Sequence, residues 1–239
     1  MISIIIPTYN EEKYIGRTLA DLKTKLTLPH EIIVSDDKST DNTVAVAGSY
    51  ADLVHVPEVK HVTIAANRNA GAKLARGEIL VFTDSSCMIQ DPDAVFKRAI
   101  ASFEADLNLV AITGKLGVLP EFETTGDRIV YFGFNIVHYV KNNILGMGEA
   151  PGKFQIIRKK SFDMVGGFRE DLVTREDGNL LSRLSKIGRT HYDSSMLVLH
   201  SGRRAHQVGW VKLLYVWMLE TFWVAVFGKA RVKDWVGTR

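Results

Sequence analysis

Three apolar, strand-like runs in the first part of the chain each end in carboxylates or hydroxyls. They lie within Met1–Glu12, Glu31–Thr43 and Glu78–Cys87. After the first run, apolar residues recur at helical spacing and predict a helix with one stripe against a sheet. This alternation of strands and helices predicts a largely parallel sheet with right-handed crossovers. Open sheets of this kind bind ligands outside the carboxyl ends of their strands, so we expect the polar residues to share one cleft.

Weaker patterns extend this expected fold along the chain. Strands are predicted over Ile2–Pro7, Glu31–Ser35, Asp52–Val56, Ile79–Thr83, Leu109–Thr113, Phe154–Arg158 and Met196–His200. Asn10 is expected to cap the first helix, because a short polar side chain can accept from the free amides there. Residues 116–152 have a less regular pattern, with an apolar, aromatic stretch from Ile129 to Val140. We expect one α/β domain over residues 1–205 and an apolar helix with a basic tail over residues 206–239.

Composition narrows the class of protein. A chain of 239 residues that is 46% hydrophobic can bury a sizeable core. Its formal net charge of +3 gives no indication of nucleic-acid binding. A single cysteine excludes an internal disulfide framework and fits a reducing compartment. We expect no secretory signal, because Met1–Pro7 is too short and lacks a basic leader.

Five segments carry a resemblance to a known family. In chain order they are PTYNEEKYI (Pro7–Ile15), SDDKSTDNT (Ser35–Thr43), ANRNAGAKLARGEILVFTDSSC (Ala66–Cys87), GKFQIIRKKSFDMVGGF (Gly152–Phe168) and REDGNLLSRLSKIG (Arg175–Gly188). With them, the chain from Met1 to about His200 resembles the family 2 glycosyltransferases. The resemblance implies the GT-A fold, which has a Rossmann-like, mostly parallel central sheet flanked by helices. It also implies a nucleotide-sugar donor, such as a UDP- or GDP-sugar.

The donor's base and diphosphate each have candidate partners. A carboxylate accepts strongly from the ring N–H groups of uracil or guanine. The resemblance implies that Asp36 faces the base, and that the turn containing Pro7, Thr8, Tyr9 and Glu11 lines the same pocket. The alternative is that Asp36, Asp37 and Asp41 only cap the next helix. Arg68 precedes a predicted helix and suits a diphosphate or an acid-lined nucleotide pocket, unless it is a surface arginine paired with an acid.

The family carries an Asp-x-Asp motif where this chain has Thr83-Asp84-Ser85-Ser86. Mg²⁺ or Mn²⁺ at this place bridges the diphosphate and needs hard oxygen ligands. The resemblance therefore implies Asp84 as a nucleotide and metal residue, with Ser86 in place of the last aspartate and His200 as a compensating ligand. A neutral hydroxyl binds the ion more weakly, so metal dependence is in question. His200 is equally compatible with a satisfied strand-end histidine, and Cys87 with a core thiol.

Glu176 and Asp177 open a predicted helix. An inverting transfer needs a base that takes the proton of the acceptor hydroxyl, and a carboxylate at a helix start is rigid and kept ionised by the helix dipole. The resemblance implies Asp177 as that base, with Glu176 supporting it or touching the acceptor. The alternative is a helix-capping pair without a catalytic role.

The segment Val208–Phe227 is almost wholly apolar and has the length of a membrane span. It contains Lys212 and Glu220, which we expect on one narrow polar strip. This favours a helix lying on the lipid surface, with basic residues near anionic headgroups: Arg203, Arg204, Lys229, Arg231 and Lys233. The alternatives are a helix packed on the domain, a homodimer contact or, less favoured, a true span.

Together these features predict an inverting, metal-assisted transfer to a glycan or lipid-linked hydroxyl acceptor. The enzyme is expected to be cytoplasmic and peripheral at the inner face of the cell membrane. One alternative is a polyprenyl-phosphate acceptor, which is already anionic and needs little base catalysis. Another is a nucleotide-binding relative without activity, suggested by Ser86.

Overall fold

A computed structural model describes residues 1–60 and 63–231. Within these residues the chain forms one sheet of eight strands flanked by helices. The strands are β1 (Ile2–Thr8), β2 (His30–Asp36), β3 (Leu53–His55), β4 (Ile79–Thr83), β5 (Cys87–Ile89), β6 (Leu109–Val118), β7 (Phe154–Arg158) and β8 (Arg189–His200). The helices are α1 (Glu12–Lys25), α2 (Thr43–Gly48), α3 (Ile64–Leu74), α4 (Pro92–Ala105), α5 (Thr125–Tyr139), α6 (Lys159–Met164), α7 (Glu176–Leu184), α8 (Arg203–Val208) and α9 (Trp210–Phe227), with a π-helical turn at Val140–Ile144.

The sheet is mixed. Its strand order is β3-β2-β1-β4-β7-β6-β8-β5. Strands β3, β2, β1 and β4 are parallel neighbours, as are β6 and β8. Strand β7 lies antiparallel between β4 and β6, and β5 lies antiparallel at the β8 edge. The predicted α/β fold with a C-terminal apolar helix is confirmed, with more antiparallel pairing than the first half of the chain indicates.

Strand β1 shows why the apolar runs are uninterrupted. Successive side chains of a strand point to opposite faces of the sheet. Ile4 and Ile6 pack in a core with α1 and α4, whereas Ile5 packs in a second core with α3, α6 and α7. Both faces of the strand are therefore covered by helices, and every position has to be compatible with a buried environment.

The polar ends of several strands meet at one edge of the sheet. Parallel pairing aligns Thr8 at the end of β1 with Asp36 at the end of β2. Strand β4 ends at Thr83, which pairs with Phe154 at the start of antiparallel β7. His200 at the end of β8 pairs with Cys87 at the start of β5. The edge therefore collects residues from both halves of the chain.

Several local predictions differ from the structure. Arg68 does not precede its helix, because α3 begins at Ile64 and contains Arg68. Asn10 does not cap α1: its φ of 55° turns the chain, and its Oδ1 accepts from the Thr40 amide at 2.8 Å. The last strand is longer than predicted and begins at Arg189. The stretch after residue 116 contains α5, where Asp127 and Thr124 form a reciprocal capping box.

The buried carboxylate of Asp127 connects α5 to both C-terminal helices, α8 and α9. Asp127 accepts from Trp210 Nε1 at 2.9 Å and lies 2.8 Å from His206 Nε2. The expected domain boundary after residue 205 falls inside α8. Glu220 of α9 is also buried and accepts from Thr174 and Arg231, so one side of α9 faces the domain.

Candidate active site

Arg68 of α3 joins three carboxylates that are far apart in the sequence. Its side chain is 2% exposed. Nη1 donates to Glu176 at 3.0 Å and to Asp177 at 2.7 Å, and Nη2 donates to Asp84 at 3.2 Å and to the Gly152 carbonyl at 2.6 Å. We call Asp84, Glu176 and Asp177 the acidic cluster. The alternative of a surface arginine is wrong, because this guanidinium is buried in the cluster.

Neighbouring residues of α3 fix the position of Arg68. The Thr63 side chain caps the helix by accepting from the Ala66 amide. Asn67 accepts from the Ser35 hydroxyl at 2.6 Å and donates to the Ser35 carbonyl at 2.8 Å, which ties the helix to the end of β2. A Cβ on Gly71 would lie 2.6 Å from Ile5, so glycine permits the close approach of α3 to β1.

Asp177 lies in the first turn of α7. Its Oδ1 accepts from Arg68 and from Gln155 Nε2, the latter at 2.6 Å. A Cβ on Gly152 would lie 2.3 Å from Asp177 Oδ2, so only glycine leaves room for the carboxylate. The N-cap of α7 is Arg175, and within the described chain its side chain makes no capping hydrogen bond. The contacts with Arg68 and Gln155 therefore fix the position of the Asp177 carboxylate.

Burial in the acidic cluster changes the protonation of Glu176. Burial raises the pKa of Glu176 well above its ordinary value, and the neighbouring Asp177 raises it further, although Arg68 acts in the opposite direction. The protonated form of Glu176 is therefore favoured. Glu176 can therefore act as a neutral hydrogen-bond donor at this site.

Asp84 follows β4 and is held by two cations. Its Oδ1 accepts from Arg68, and its Oδ2 accepts from Lys153 Nζ at 3.2 Å. Burial alone would raise the pKa of Asp84, but Lys153 and Arg68 outweigh it and hold the pKa below its ordinary value. Asp84 is therefore an ionised carboxylate with a cation on each oxygen.

His200, Cys87 and Ser86 lie at the same edge and are buried. Burial raises the pKa of the Cys87 thiol to about 11, which fits the core interpretation. Nδ1 of His200 accepts from the Gly202 amide at 2.9 Å, so the proton of the neutral ring is on Nε2. A metal ligand needs its lone pair on the nitrogen facing the ion, and this hydrogen bond leaves none on Nε2.

These residues do not fit a divalent ion as they are arranged. Both oxygens of Asp84 contact cations, Ser86 is neutral and His200 presents an N–H. Within residues 1–60 and 63–231, no group of three or more His, Cys, Asp or Glu side chains is placed to hold a metal. The expectation of Mg²⁺ or Mn²⁺ stays a prediction.

Asp36, the expected partner of the base, ends β2, which lies two strands from β4 and Asp84, about 10 Å at the usual strand spacing. The other expected base-binding residues end or follow β1, which lies between β2 and β4. Asp36 is fully buried and accepts from the Thr8 hydroxyl at 2.9 Å and from the Ser39 amide at 2.7 Å. It therefore fixes the turn after β2. Thr8 is buried, and Pro7 is buried within β1.

Tyr9 and Glu11 carry partners from elsewhere in the chain. Lys60 Nζ lies 3.6 Å from the centre of the Tyr9 ring. Glu11 pairs with both guanidinium nitrogens of Arg203, one of them at 2.9 Å. Arg203 of α8 therefore pairs with a carboxylate in the turn after β1. The expectation that Arg203 meets lipid headgroups is wrong for this reason.

The structure adds three residues to the site. Gly152, Lys153 and Gln155 contact Arg68, Asp84 and Asp177, respectively, and none of these three residues has a role in the site that was predicted from the sequence. Gln155 had one recognisable signal, since it is a polar residue inside the apolar run Phe154–Arg158. Lys153 had none, because a lysine beside a strand is typical of a solvated surface.

Comparisons with known proteins agree with this fold. The family model for Glycosyl transferase family 2 matches residues 3–166. Validoxylamine A glucosyltransferase from Streptomyces hygroscopicus subsp. limoneus is 38% identical over 94 residues, which are 37% of this chain and 21% of that protein.

Two solved structures share the fold. Mannosyltransferase PcManGT from Pyrobaculum calidifontis, in complex with GDP-Man and Mn²⁺, has a TM-score of 0.67 at 18% identity, over 84% of this chain and 56% of that chain. S. aureus TarS 1-349, in complex with UDP, has a TM-score of 0.65 at 24% identity, over 82% and 59%. The chain spans less than two thirds of each of these three proteins. Since the family model covers more than half of its length, this chain belongs to glycosyl transferase family 2.

Proposed function

We propose that this chain is the catalytic unit of an inverting glycosyltransferase. It moves a sugar from a nucleoside-diphosphate sugar to a hydroxyl of a glycan or lipid-linked acceptor. The family membership and the names of the relatives support sugar transfer. The nucleotides bound by the two structural neighbours support a UDP- or GDP-sugar as donor.

The observation that carries the proposal is the acidic cluster around Arg68 at the ligand-binding edge of the sheet. Asp177 takes the proton of the acceptor hydroxyl while that oxygen forms a bond to C1 of the sugar. The bond from C1 to the diphosphate breaks on the opposite face, and its electron pair leaves with the diphosphate. Arg68 contacts both Asp177 and Asp84. The base and the residue beside the leaving diphosphate are therefore held in a fixed position relative to each other.

A screen of nucleotides by thermal unfolding tests the donor class. Ligand binding to the folded state raises stability by RT ln(1 + [L]/Kd), so a ligand at about 100 times its Kd adds about 2.7 kcal/mol. For a chain of this length, about 5 to 10 °C is the expected rise in Tm. We expect UDP or GDP to give that rise, and CDP and dTDP much less. Equal, negligible shifts with all four nucleotides would contradict the proposal.

We further propose peripheral contact with the cytoplasmic face of the cell membrane. Among the described residues, one helix, Trp210–Phe227, is long and apolar enough to cross a membrane. Glu220 is buried against the domain, which favours a helix that lies on the membrane surface over one that crosses the membrane. The outward side of α9 is apolar and exposed, at Val211, Tyr215, Met218, Phe222 and Val226.

Helix α5 widens this apolar surface. Ring contacts of 5.6 Å between Tyr131 and Trp210, and 5.7 Å between Phe134 and Trp217, pack α5 beside α9. The outward side of α5 exposes Ile129 and Phe132. The expected polar strip is divided, because Lys212 is exposed and Glu220 faces the domain. Lys233 of the expected basic tail lies outside the described residues.

Flotation with anionic phospholipid vesicles tests this contact. We expect the wild-type chain to float and Phe222→Glu to bind about tenfold more weakly or worse. An exposed aromatic side chain that would enter the lipid is lost, and an acid faces the anionic headgroups instead. Leu107→Glu is the matched control, since Leu107 is 83% exposed in a different part of the surface. Equal flotation of the two variants would refute membrane contact, and a loss of dimer in Phe222→Glu would indicate a homodimer instead.

A further inference from the structure

Lys153 places a positive charge beside Asp84 at the edge of the sheet. It precedes β7, whose first residue Phe154 pairs with Thr83, so Lys153 is adjacent to Asp84 across the sheet. Its Nζ contacts Asp84 Oδ2 at 3.2 Å, and its side chain is 31% exposed. The ammonium is therefore held at the edge by a carboxylate yet retains access to solvent and ligand.

His200 supplies a second, independent feature beside it. The ring is 4% exposed, and Nε2 carries the proton because Nδ1 accepts from the Gly202 amide. Within the described residues, this Nε2 has no hydrogen-bond partner. A buried donor left unpaired costs free energy, so it is typical of a site that a ligand completes. His200 pairs in the sheet with Cys87, three residues after Asp84, the partner of Lys153, so both groups lie at the same edge of the sheet.

The two groups have the chemistry that recognises an anion. An ammonium is a point charge on a flexible stem and binds phosphate oxygens well, and a neutral imidazole N–H adds one directed donor. They lie beside Asp84, which in the Asp-x-Asp arrangement would share the ion with the carboxylate that Ser86 replaces. A cation of the protein therefore lies beside the one carboxylate that remains of this motif.

We propose that Lys153, together with His200 Nε2–H, binds the donor diphosphate directly and supplies the positive charge that a divalent ion would otherwise bring. This inference rests on the proposed function. During transfer, the bond from C1 to the diphosphate oxygen breaks and the electron pair stays on that oxygen. The Lys153 ammonium moves from Asp84 to this oxygen on its flexible stem and stabilises the new charge. No proton, electron or co-reactant is needed beyond the donor and acceptor.

Calorimetric titration with UDP or GDP, whichever binds, tests the proposal in EDTA and in Mn²⁺. We expect the wild-type Kd in EDTA to lie within about threefold of the value in Mn²⁺. Lys153→Met is expected to weaken nucleoside-diphosphate binding by about tenfold or more in EDTA, because a charge-assisted contact is lost. The free nucleoside lacks the diphosphate, so its Kd is expected to change little.

Lys159→Met is the matched control, because the Lys159 side chain is also 30% exposed and pairs with the exposed Asp163. Lys153→Arg keeps the charge and is expected to recover most of the affinity if Lys153→Met is poorly folded. Wild-type binding that appears only with Mn²⁺ would overturn the inference, as would equal affinities of Lys153→Met and Lys159→Met. Failure of every nucleoside diphosphate to bind, in either buffer, would instead refute the proposed function.

Discussion

Asp177→Asn is expected to lower turnover about a thousandfold, within the range that general-base catalysis contributes. The amide cannot take the proton of the acceptor hydroxyl, yet its oxygen can still accept from Arg68 and Gln155, which now contact Oδ1. The geometry of the cluster is therefore kept while the base is removed. Turnover measured beside the Kd of the nucleotide separates the two effects, since the nucleotide Kd is expected to change only about twofold to threefold.

Two further variants sharpen this experiment. Glu176→Gln exchanges an acid that favours its neutral form for a neutral amide, so its loss of turnover is expected to stay within about tenfold. Asp163→Asn makes the same chemical change as Asp177→Asn on a side chain that is 57% exposed, and wild-type turnover is expected. Undiminished turnover in Asp177→Asn would remove Asp177 from the mechanism. It would favour a polyprenyl-phosphate acceptor, whose oxygen is already anionic.

The core of the fold could be predicted from the sequence, because the apolar runs and the polar residues that end them are both local features of the chain. Ile2–Thr8 and Ile79–Thr83 are apolar runs that end in polar residues, and the structure places them as adjacent parallel strands. A strand buried on both faces has little freedom in its composition, so the pattern is strong. The order of the second half was harder to predict, because β7 enters the sheet between β4 and β6 through contacts distant in sequence.

The acidic cluster could be predicted only in part, for the same reason. Motif resemblance named Arg68, Asp84, Glu176 and Asp177, and the structure brings them into contact. What holds them together could not be foreseen, since Lys153 joins Asp84 across 69 residues of sequence. Likewise, the Glu11 carboxylate is paired with an arginine 192 residues away. Charge pairs of this range depend on tertiary structure and leave no periodic signal in the chain.

Arg68→Met is expected to lower the free energy of unfolding by about 3 to 5 kcal/mol, the usual cost of removing one partner from a buried ion pair. The guanidinium is buried and contacts Asp84, Glu176 and Asp177, so methionine leaves these acids without their shared donor. For a domain of this length the Tm is expected to fall by about 10 °C. Chemical denaturation beside Arg17→Met provides the control. Arg17 and its partner Glu121 are 58% and 42% exposed, so little change in stability is expected there.

The dependence of this loss on pH distinguishes stranded charge from lost packing. Lys153 and Arg68 lower the pKa of folded Asp84 despite its burial, so Asp84 contributes stability above its unfolded pKa of about 4 and loses it as the pH falls through the folded value. Without Arg68 the pKa of Asp84 rises. In Arg68→Met, Asp84 is therefore protonated, and its unfavourable buried charge removed, at a higher pH than in the wild type. The difference in unfolding free energy is therefore expected to be full at neutral pH and to shrink on acidification toward about pH 4. A difference that stays constant with pH would mean that Arg68 stabilises the fold by packing, and the acidic cluster would then lose its electrostatic basis.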